Sequence, residues 1–213
     1  MVVFELVQTE HHPVYQQLAI DNGNRQYDFL RSIVQASLGL QRPLLSLEMI
    51  KALNYHAISC LHVSAGEFRP TDVTVGNHQP VRFWQVPSHM EMFVDQVNRY
   101  WDESDPILLT CFVLWKLNHI HPFINGNGRT ARAAALYVLC LKSQGWLPGQ
   151  PILPELLKAN RPAYVAALQH ADQSLQAGPV DLSQLHALVS QLVAQQLASV
   201  QPPPAAAPPA PGP

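Results

Sequence analysis

The residues of this sequence that are best suited to chemistry lie in one short stretch, from His121 to Arg132. Gly126 and Gly128 leave the backbone amides uncovered where a helix is expected to begin, and free amides at a helix N-terminus attract phosphate. Arg129 and Arg132 are three residues apart, so they share a helix face and can reach the same anion. His121 can accept a proton near neutral pH, since an unperturbed histidine has a pKa of about 6.5. The pattern predicts a phosphate cradle beside a general base, as in phosphoryl or nucleotidyl transfer.

Two strongly apolar helices are expected to position this loop. Residues 107–117 and 131–141 are apolar on nearly every side, which is typical of helices buried at the centre of a domain. Residues 67–87 differ, because apolar residues alternate there on both sides of a turn-prone tip, at Val73 and Val75 and again at Val81 and Phe83, and predict a β-hairpin. The expected fold class is mainly α, with one β-hairpin.

Composition excludes several classes of protein. The 213 residues carry a net charge of -2 with a pI near 6.5, which argues against a broad basic face for nucleic acid. No apolar run is long enough to span a membrane, and the N-terminus lacks the pattern of a secretory signal. Cys60, Cys111 and Cys140 each lie in an apolar stretch and are expected to be reduced core residues. A cytoplasmic protein is expected, and export by a signal-independent route stays open.

Three regions are predicted along the chain. Residues 1–44 form an N-terminal helical region that packs on the core, and residues 45–200 form the main domain with C-terminal helices. Residues 201–213, rich in proline and alanine, form an extended, disordered tail. A tail without a role is the simpler interpretation, and a ligand for a proline-binding module is the alternative.

A metal site formed by His119 and His121 is not predicted. Residues two positions apart on a helix point in different directions, and no cysteine or carboxylate with ligand spacing accompanies them.

The stretch "HPFINGNGRTAR", His121 to Arg132, closely resembles the signature of the Fic family, HPFx(D/E)GNGRxxR. The resemblance extends to "AGEFRPTDVTVG" at 65–76, which looks like the family's strand-and-flap segment, to "VPSHMEMFV", and to "NRPAYVAAL" at 160–168. Together these segments cover roughly residues 45–172. The resemblance implies a helical Fic-fold bundle with a β-hairpin flap, and transfer of AMP from ATP to a Ser, Thr or Tyr hydroxyl of a target protein.

The resemblance also implies roles for individual residues. His121 is expected to be the general base, with Pro122 and Phe123 anchoring the loop. The hairpin from Asp72 to Val81 is expected to be the flap, which aligns the target segment by strand-like pairing. Nucleotide-binding roles are expected for Gly126, Asn127, Gly128, Arg129, Arg132, Asn160 and Tyr164, and target docking for Asp72, Val73, Thr74, Val75 and Gly76.

Asn125 departs from the family pattern. Most relatives carry Asp or Glu at this position, where the carboxylate binds Mg²⁺. An amide oxygen can ligate Mg²⁺ but brings no charge, so weaker metal binding is expected. The alternatives are transfer of another nucleotide or phospho-group, and a catalytically weak nucleotide-binding or interaction module.

The family's inhibitory motif, (S/T)xxxE(G/N), is absent from this sequence. Two interpretations follow. The protein is unrestrained, or a small partner supplies the inhibitory glutamate, as in the family's toxin–antitoxin pairs. Restraint by the N-terminal helical region is a further alternative.

Overall fold

A computed structural model describes residues 1–41, 45–76 and 78–200. Within those ranges the structure is mainly helical, as predicted. The helices are α1 (Val3–Val7), α2 (Pro13–Leu40), α3 (Leu47–Ile58), α4 (Val86–Arg99), α5 (Pro106–Ile120), α6 (Asn127–Lys142), α7 (Leu153–Ala159), α8 (Arg161–Ala177) and α9 (Ser183–Ala198). The predicted disorder of the proline-rich tail falls on 201–213, outside the described residues.

Helices α5 and α6 form the centre of the bundle. Asp105 begins α5, because its Oδ1 accepts hydrogen bonds from the amides of Ile107 and Leu108 at 2.9 and 3.0 Å. Every residue of α6 from 133 to 141 is buried, which explains why this segment is apolar on all sides. The loop that joins α5 to α6 is therefore held by the most buried part of the fold.

The N-terminal helices pack against this centre. Helix α2 contacts both α3 and α6. Two buried amides of α2 bond to α3 and the residue after it: Gln26 Nε2 donates to the Leu53 carbonyl and Asn22 Nδ2 to the Ser59 carbonyl, each at 2.8 Å. The predicted boundary between residues 44 and 45 stays a prediction.

The segment predicted as a hairpin is shorter than a two-stranded hairpin. Its turn is closed by one pair of hydrogen bonds between Val75 and His78, at 2.9 and 3.0 Å. Phe83, expected in the second strand, instead starts a single 3₁₀ turn. Pro80 has no amide to donate, and the buried guanidinium of Arg69 binds the Val81 carbonyl, so ladder bonds are lost on that side.

The cysteines are free, but they are not all in the core. Cys111 and Cys140 are buried, as predicted, whereas Cys60 is exposed. The prediction for Cys60 was wrong because it follows the end of α3 and adopts a positive φ of 62°, which turns the chain toward the surface. None of the described helices combines the length and apolarity needed to cross a bilayer.

Candidate active site

The loop between α5 and α6 is fixed by contacts to its own backbone. His121 ends α5 in the left-handed region, with φ 51°. Phe123 is buried, and the buried side chain of Asn127 donates to its carbonyl at 2.8 Å and accepts from its amide at 2.9 Å. Pro122 is also buried, so both residues that were predicted to anchor the loop lie in the interior.

Gly126 is required by the tight approach of the loop to α3. Its φ is +77°, and a Cβ there would lie 2.7 Å from Ile58 Cγ2 and 3.0 Å from Asn54 Nδ2. It immediately precedes α6, whose first-turn amides at 127, 128 and 129 have no hydrogen-bond partner among the described residues. These donors are available to an anion, as expected at a helix N-terminus.

Burial keeps His121 neutral. Burial is the largest of the effects that lower the pKa of its imidazole to about 4; the nearby charges of Arg69 and His78 act in the same direction, and a hydrogen bond with the backbone of Asn118 opposes them. A neutral imidazole that donates one ring proton to the backbone keeps a lone pair on its other nitrogen. His121 can therefore accept a proton throughout the neutral range.

The two arginines of the loop differ in their contacts. Arg129 Nη1 donates to the Ala57 carbonyl at 2.7 Å, and its Nη2 lies 3.4 Å from Asn125 Oδ1. Burial lowers the pKa of Arg129. Arg132, by contrast, has no hydrogen-bond acceptor or carboxylate partner among the described residues, and its Nη1 lies beside Gly128. Arg132 is the more available of the two for a terminal phosphate.

The oxygen donors at Asn125 decide whether Mg²⁺ fits there. Asn125 Oδ1 already accepts from the Gly126 amide at 2.6 Å, and its Nδ2 donates to Glu10 Oε1 at 3.0 Å. The atom directed at Glu10 is thus the amide nitrogen, which cannot ligate a cation. Glu10 places a half-exposed carboxylate at this point, and carboxylate oxygens are the ligands that Mg²⁺ prefers. The donor set fits Mg²⁺ through Glu10 rather than through Asn125 alone.

Arg69 joins the predicted flap to the loop. Its buried side chain donates to the His121 carbonyl at 2.8 Å and to the Thr71 carbonyl at 3.0 Å. The Arg69 amide donates to the Pro122 carbonyl at 2.8 Å. Asp72 is tied to the far side of the flap by the Arg82 guanidinium at 2.8 Å. Residues 74–76 are exposed, so the predicted docking segment lies at the surface beside the loop.

Tyr164 and Asn160 lie in different environments. Tyr164 is buried, and burial raises its pKa to about 12. Its hydroxyl accepts from Asn118 Nδ2 at 3.0 Å, which ties the side chain to α5, and its predicted nucleotide contact stays a prediction. Asn160 is exposed and bonds back to the Leu156 carbonyl at 2.9 Å. Its predicted nucleotide contact stays a prediction.

The sequence was compared with known families and proteins. The model of the Fic/DOC family matches residues 44–139. Residues 44–139 are therefore similar to a Fic/DOC domain. The chain is 41% identical over 71 residues to "Protein adenylyltransferase Fic" of Drosophila willistoni, covering 33% of this chain and 14% of that protein. It is 39% identical over 114 residues to "Protein adenylyltransferase fic-1" of Caenorhabditis elegans, covering 52% and 20%. The alignments thus span about a fifth or less of these relatives.

Solved structures show the same fold. A fragment of Fic-1 from C. elegans superposes with a TM-score of 0.64 at 24% identity, covering 85% of this chain and 48% of that one. A Fic-domain-containing signaling protein from Bacteroides thetaiotaomicron superposes with a TM-score of 0.67 at 21% identity, covering 92% and 76%. The Fic fold therefore extends over most of the described chain, beyond the family match.

Sequence reasoning missed several residues that surround the Fic loop. Glu10 and Tyr15 reach it from the N-terminal region, where nothing in their spacing connects them to residue 125. Tyr15 is buried, and its hydroxyl lies 2.8 Å from His62 Nε2. Asn54, also buried, donates to the Asn125 carbonyl at 2.9 Å and accepts from the Gly66 amide at 3.0 Å. The position of Asn54 on the face of α3 that also carries Ile50, Leu53, Ala57 and Ile58 was the only signal for it.

Proposed function

We propose that this chain transfers AMP from ATP to a hydroxyl side chain of a target protein. The arrangement of the α5–α6 loop carries the proposal. It places a neutral imidazole at the end of α5 and unpaired amides at the start of α6, held by two buried helices. The relatives described above are named protein adenylyltransferases, which agrees with this activity.

The reaction needs a base, a clamp and an electrophilic phosphorus in line. His121 takes the proton of the target hydroxyl as its oxygen attacks the α-phosphorus. The bond from the α-phosphorus to the bridging oxygen breaks, and pyrophosphate leaves. The amides at 127–129 hold the phosphates, Arg129 the β-phosphate, and Arg132 the terminal phosphate.

Mg²⁺ would be held by the Glu10 carboxylate beside Asn125, and it would neutralise charge on the phosphates. Glu10 contributes the carboxylate, and its contact with Asn125 Nδ2 keeps that carboxylate at the loop. The amide of Asn125 positions Gly126 and Arg129 through its oxygen. In this proposal the charge expected at residue 125 is supplied from residue 10.

The flap would bind the target, and Arg132 would bind an inhibitor. Exposed main-chain groups at 74–76 can pair with an extended target segment. Arg132 lacks a carboxylate partner in the described part of the chain, so a small antitoxin-like protein could supply one. The free thiols fit a cytoplasmic location, and no nucleic-acid or membrane partner is proposed.

Incubation with labelled ATP and a cell lysate tests the transfer. His121→Ala should lose labelling of target proteins by about 10²–10⁴-fold, the usual contribution of a general base. ATP binding, measured by calorimetry, should persist because the amides and arginines are unchanged. His186→Ala is the matched control, since His186 lies on α9 away from the loop, and it should label like the wild type. Equal labelling by His121→Ala and wild type would remove His121 from the mechanism.

The same assay with labelled UTP, GTP and CTP tests the alternatives. Labelling from another donor would replace AMP as the transferred group. The Asn125 side-chain oxygen already accepts a hydrogen bond from the Gly126 amide. This observation favours the alternative of a catalytically weak nucleotide-binding module. ATP binding without any labelling would support that alternative.

A further inference from the structure

Three polar side chains from separate elements meet on the flap side of the bundle. His78 follows the flap turn, His119 lies in the last turn of α5, and Asp172 lies on α8. One ligand atom from each lies within 4.8 Å of the other two. Each side chain is about a fifth to a quarter exposed, so the cluster is partly buried and still reachable from solvent.

The hydrogen bonds of His78 fix its tautomer. Its Nε2 lies 2.8 Å from the His119 carbonyl. A carbonyl only accepts, so Nε2 must carry the proton. In the neutral ring Nδ1 then has a lone pair, and it faces Asp172 Oδ2 at 3.7 Å.

The carboxylate of Asp172 is oriented by two donors on one oxygen. Oδ1 accepts from Trp115 Nε1 at 2.9 Å and from His119 Nδ1 at 2.7 Å. Among the described residues, Oδ2 has no partner within hydrogen-bond distance. Two acceptor atoms, Oδ2 and His78 Nδ1, thus face each other across a gap that is too long for a hydrogen bond.

We propose that His78, His119 and Asp172 form a binding site for Zn²⁺ that ties the flap to α5 and α8. A tetrahedral zinc ion with ligands at about 2.0–2.2 Å places those ligands roughly 3.4 Å apart. The 3.7 Å gap between His78 Nδ1 and Asp172 Oδ2 is close to that spacing. Two imidazoles and one carboxylate suit zinc better than Mg²⁺, which prefers oxygen alone.

The surroundings match those of known histidine–metal sites. Ligating histidines usually donate their second ring nitrogen to a backbone carbonyl or a carboxylate, which fixes ring and tautomer. His78 does this through the His119 carbonyl, and Trp115 orients Asp172. When zinc binds, His119 Nδ1 gives up its proton to become a ligand, and the ring regains a proton from solvent at Nε2. Asp172 supplies one negative charge, and water completes the fourth position.

Calorimetric titration of the full chain with Zn²⁺ tests the site. The titration is done in a His11→Ala, His12→Ala background, because those adjacent exposed histidines can bind zinc on their own. One equivalent of Zn²⁺ should bind. His78→Ala and Asp172→Asn should each weaken Zn²⁺ affinity by at least about tenfold, because losing a residue that only hydrogen-bonds to a metal ligand already costs that much. His170→Ala is the matched control, since His170 pairs with Asp181 at 2.9 Å at the surface and should bind zinc like the background.

Two further readouts separate binding from folding and from catalysis. Co²⁺ should give the visible absorption of a low-coordinate site in the background protein and not in Asp172→Asn. Zinc should slow amide hydrogen exchange in the flap, residues 72–81, in the background protein and not in His78→Ala. Neither readout depends on nucleotide transfer. Absence of stoichiometric zinc binding, or unchanged binding in both His78→Ala and Asp172→Asn, would overturn the proposal and leave the cluster as a histidine–carboxylate ion pair.

Discussion

At the scale of single residues, the burial of His121 sets the pH range of the proposed reaction. Because burial lowers the pKa of this histidine to about 4, the ring is neutral above that pH and can accept a proton. We expect kcat/KM for transfer, which reports the free enzyme, to be flat on its acid side down to about pH 5 and to fall as pH drops through about 4. A rate assay across pH 3.5–8 checks this. An acid limb near 6.5, the ordinary histidine value, would show that the ring is solvated in the free enzyme.

The contact between Asn125 and Glu10 changes what an acidic residue at 125 would do. In Asn125→Asp, a carboxylate oxygen replaces the amide nitrogen that now lies 3.0 Å from Glu10 Oε1. Two carboxylates at that distance repel each other without a metal and bind a hard cation together. We expect Mg²⁺ affinity, measured by calorimetry with ATP, to rise on the order of tenfold, or about 1.4 kcal/mol.

The control for the charge is Asn24→Asp, an exposed change on α2, which should leave Mg²⁺ affinity unchanged. Adding Glu10→Gln to Asn125→Asp should remove most of the gain. A gain that persists in the double variant would mean that Glu10 is not a metal ligand.

The sequence predicted the site residues that lie close together along the chain, and it missed those that only the fold brings together. His121, Gly126 and Arg132 act through a contiguous loop, so their spacing alone indicated a phosphate site. Glu10 lies 115 positions from Asn125, and only the path of the N-terminal helices brings them together. His119 was rejected as a metal ligand because its sequence neighbours were unsuitable, and its partners come from the flap and α8.

At the scale of secondary-structure elements, the junction before α6 is the most constrained point of the site. Gly126→Ala would place a Cβ 2.7 Å from Ile58 in a left-handed backbone, which costs roughly 1–2 kcal/mol before any clash is counted. We expect a loss of at least about 2 kcal/mol in the free energy of unfolding, measured with urea. Gly23→Ala is the control, because that helical glycine has open space around it and should gain about 0.5–1 kcal/mol. A neutral Gly126→Ala would mean that α3 can move away from the loop.

The elements themselves were predictable to different degrees. Helices α5 and α6 were indicated by long apolar segments, which are local signals. The length of the hairpin was overestimated. Alternation at Val73, Val75 and Val81 suggested strands, but the carbonyls of Thr71 and Val81 accept hydrogen bonds from Arg69 instead. A side chain that takes over backbone carbonyls leaves no periodic signal.

At the scale of the whole molecule, residues 1–41 are expected to unfold together with the rest of the helical bundle. Gln26→Ala removes a buried hydrogen bond from α2 to the Leu53 carbonyl, at a cost of about 1–3 kcal/mol. We expect a single calorimetric transition whose Tm falls by about 2–4 °C for each kcal/mol lost. Gln17→Ala, an exposed change on the same helix, should leave Tm unchanged. A separate early transition that alone responds to Gln26→Ala would make the N-terminal region an independent unit.

The guanidinium of Arg69 also links two parts of the molecule that would otherwise respond separately. One planar, buried group bonds to carbonyls at the base of the flap, at its return and at His121. A shift of the flap must therefore either break bonds to a buried charge, which is costly, or carry the His121 backbone with it. In the proposed reaction, binding of a target to the flap and positioning of His121 are therefore coupled. A target that fits the flap poorly would react more slowly as well as bind more weakly.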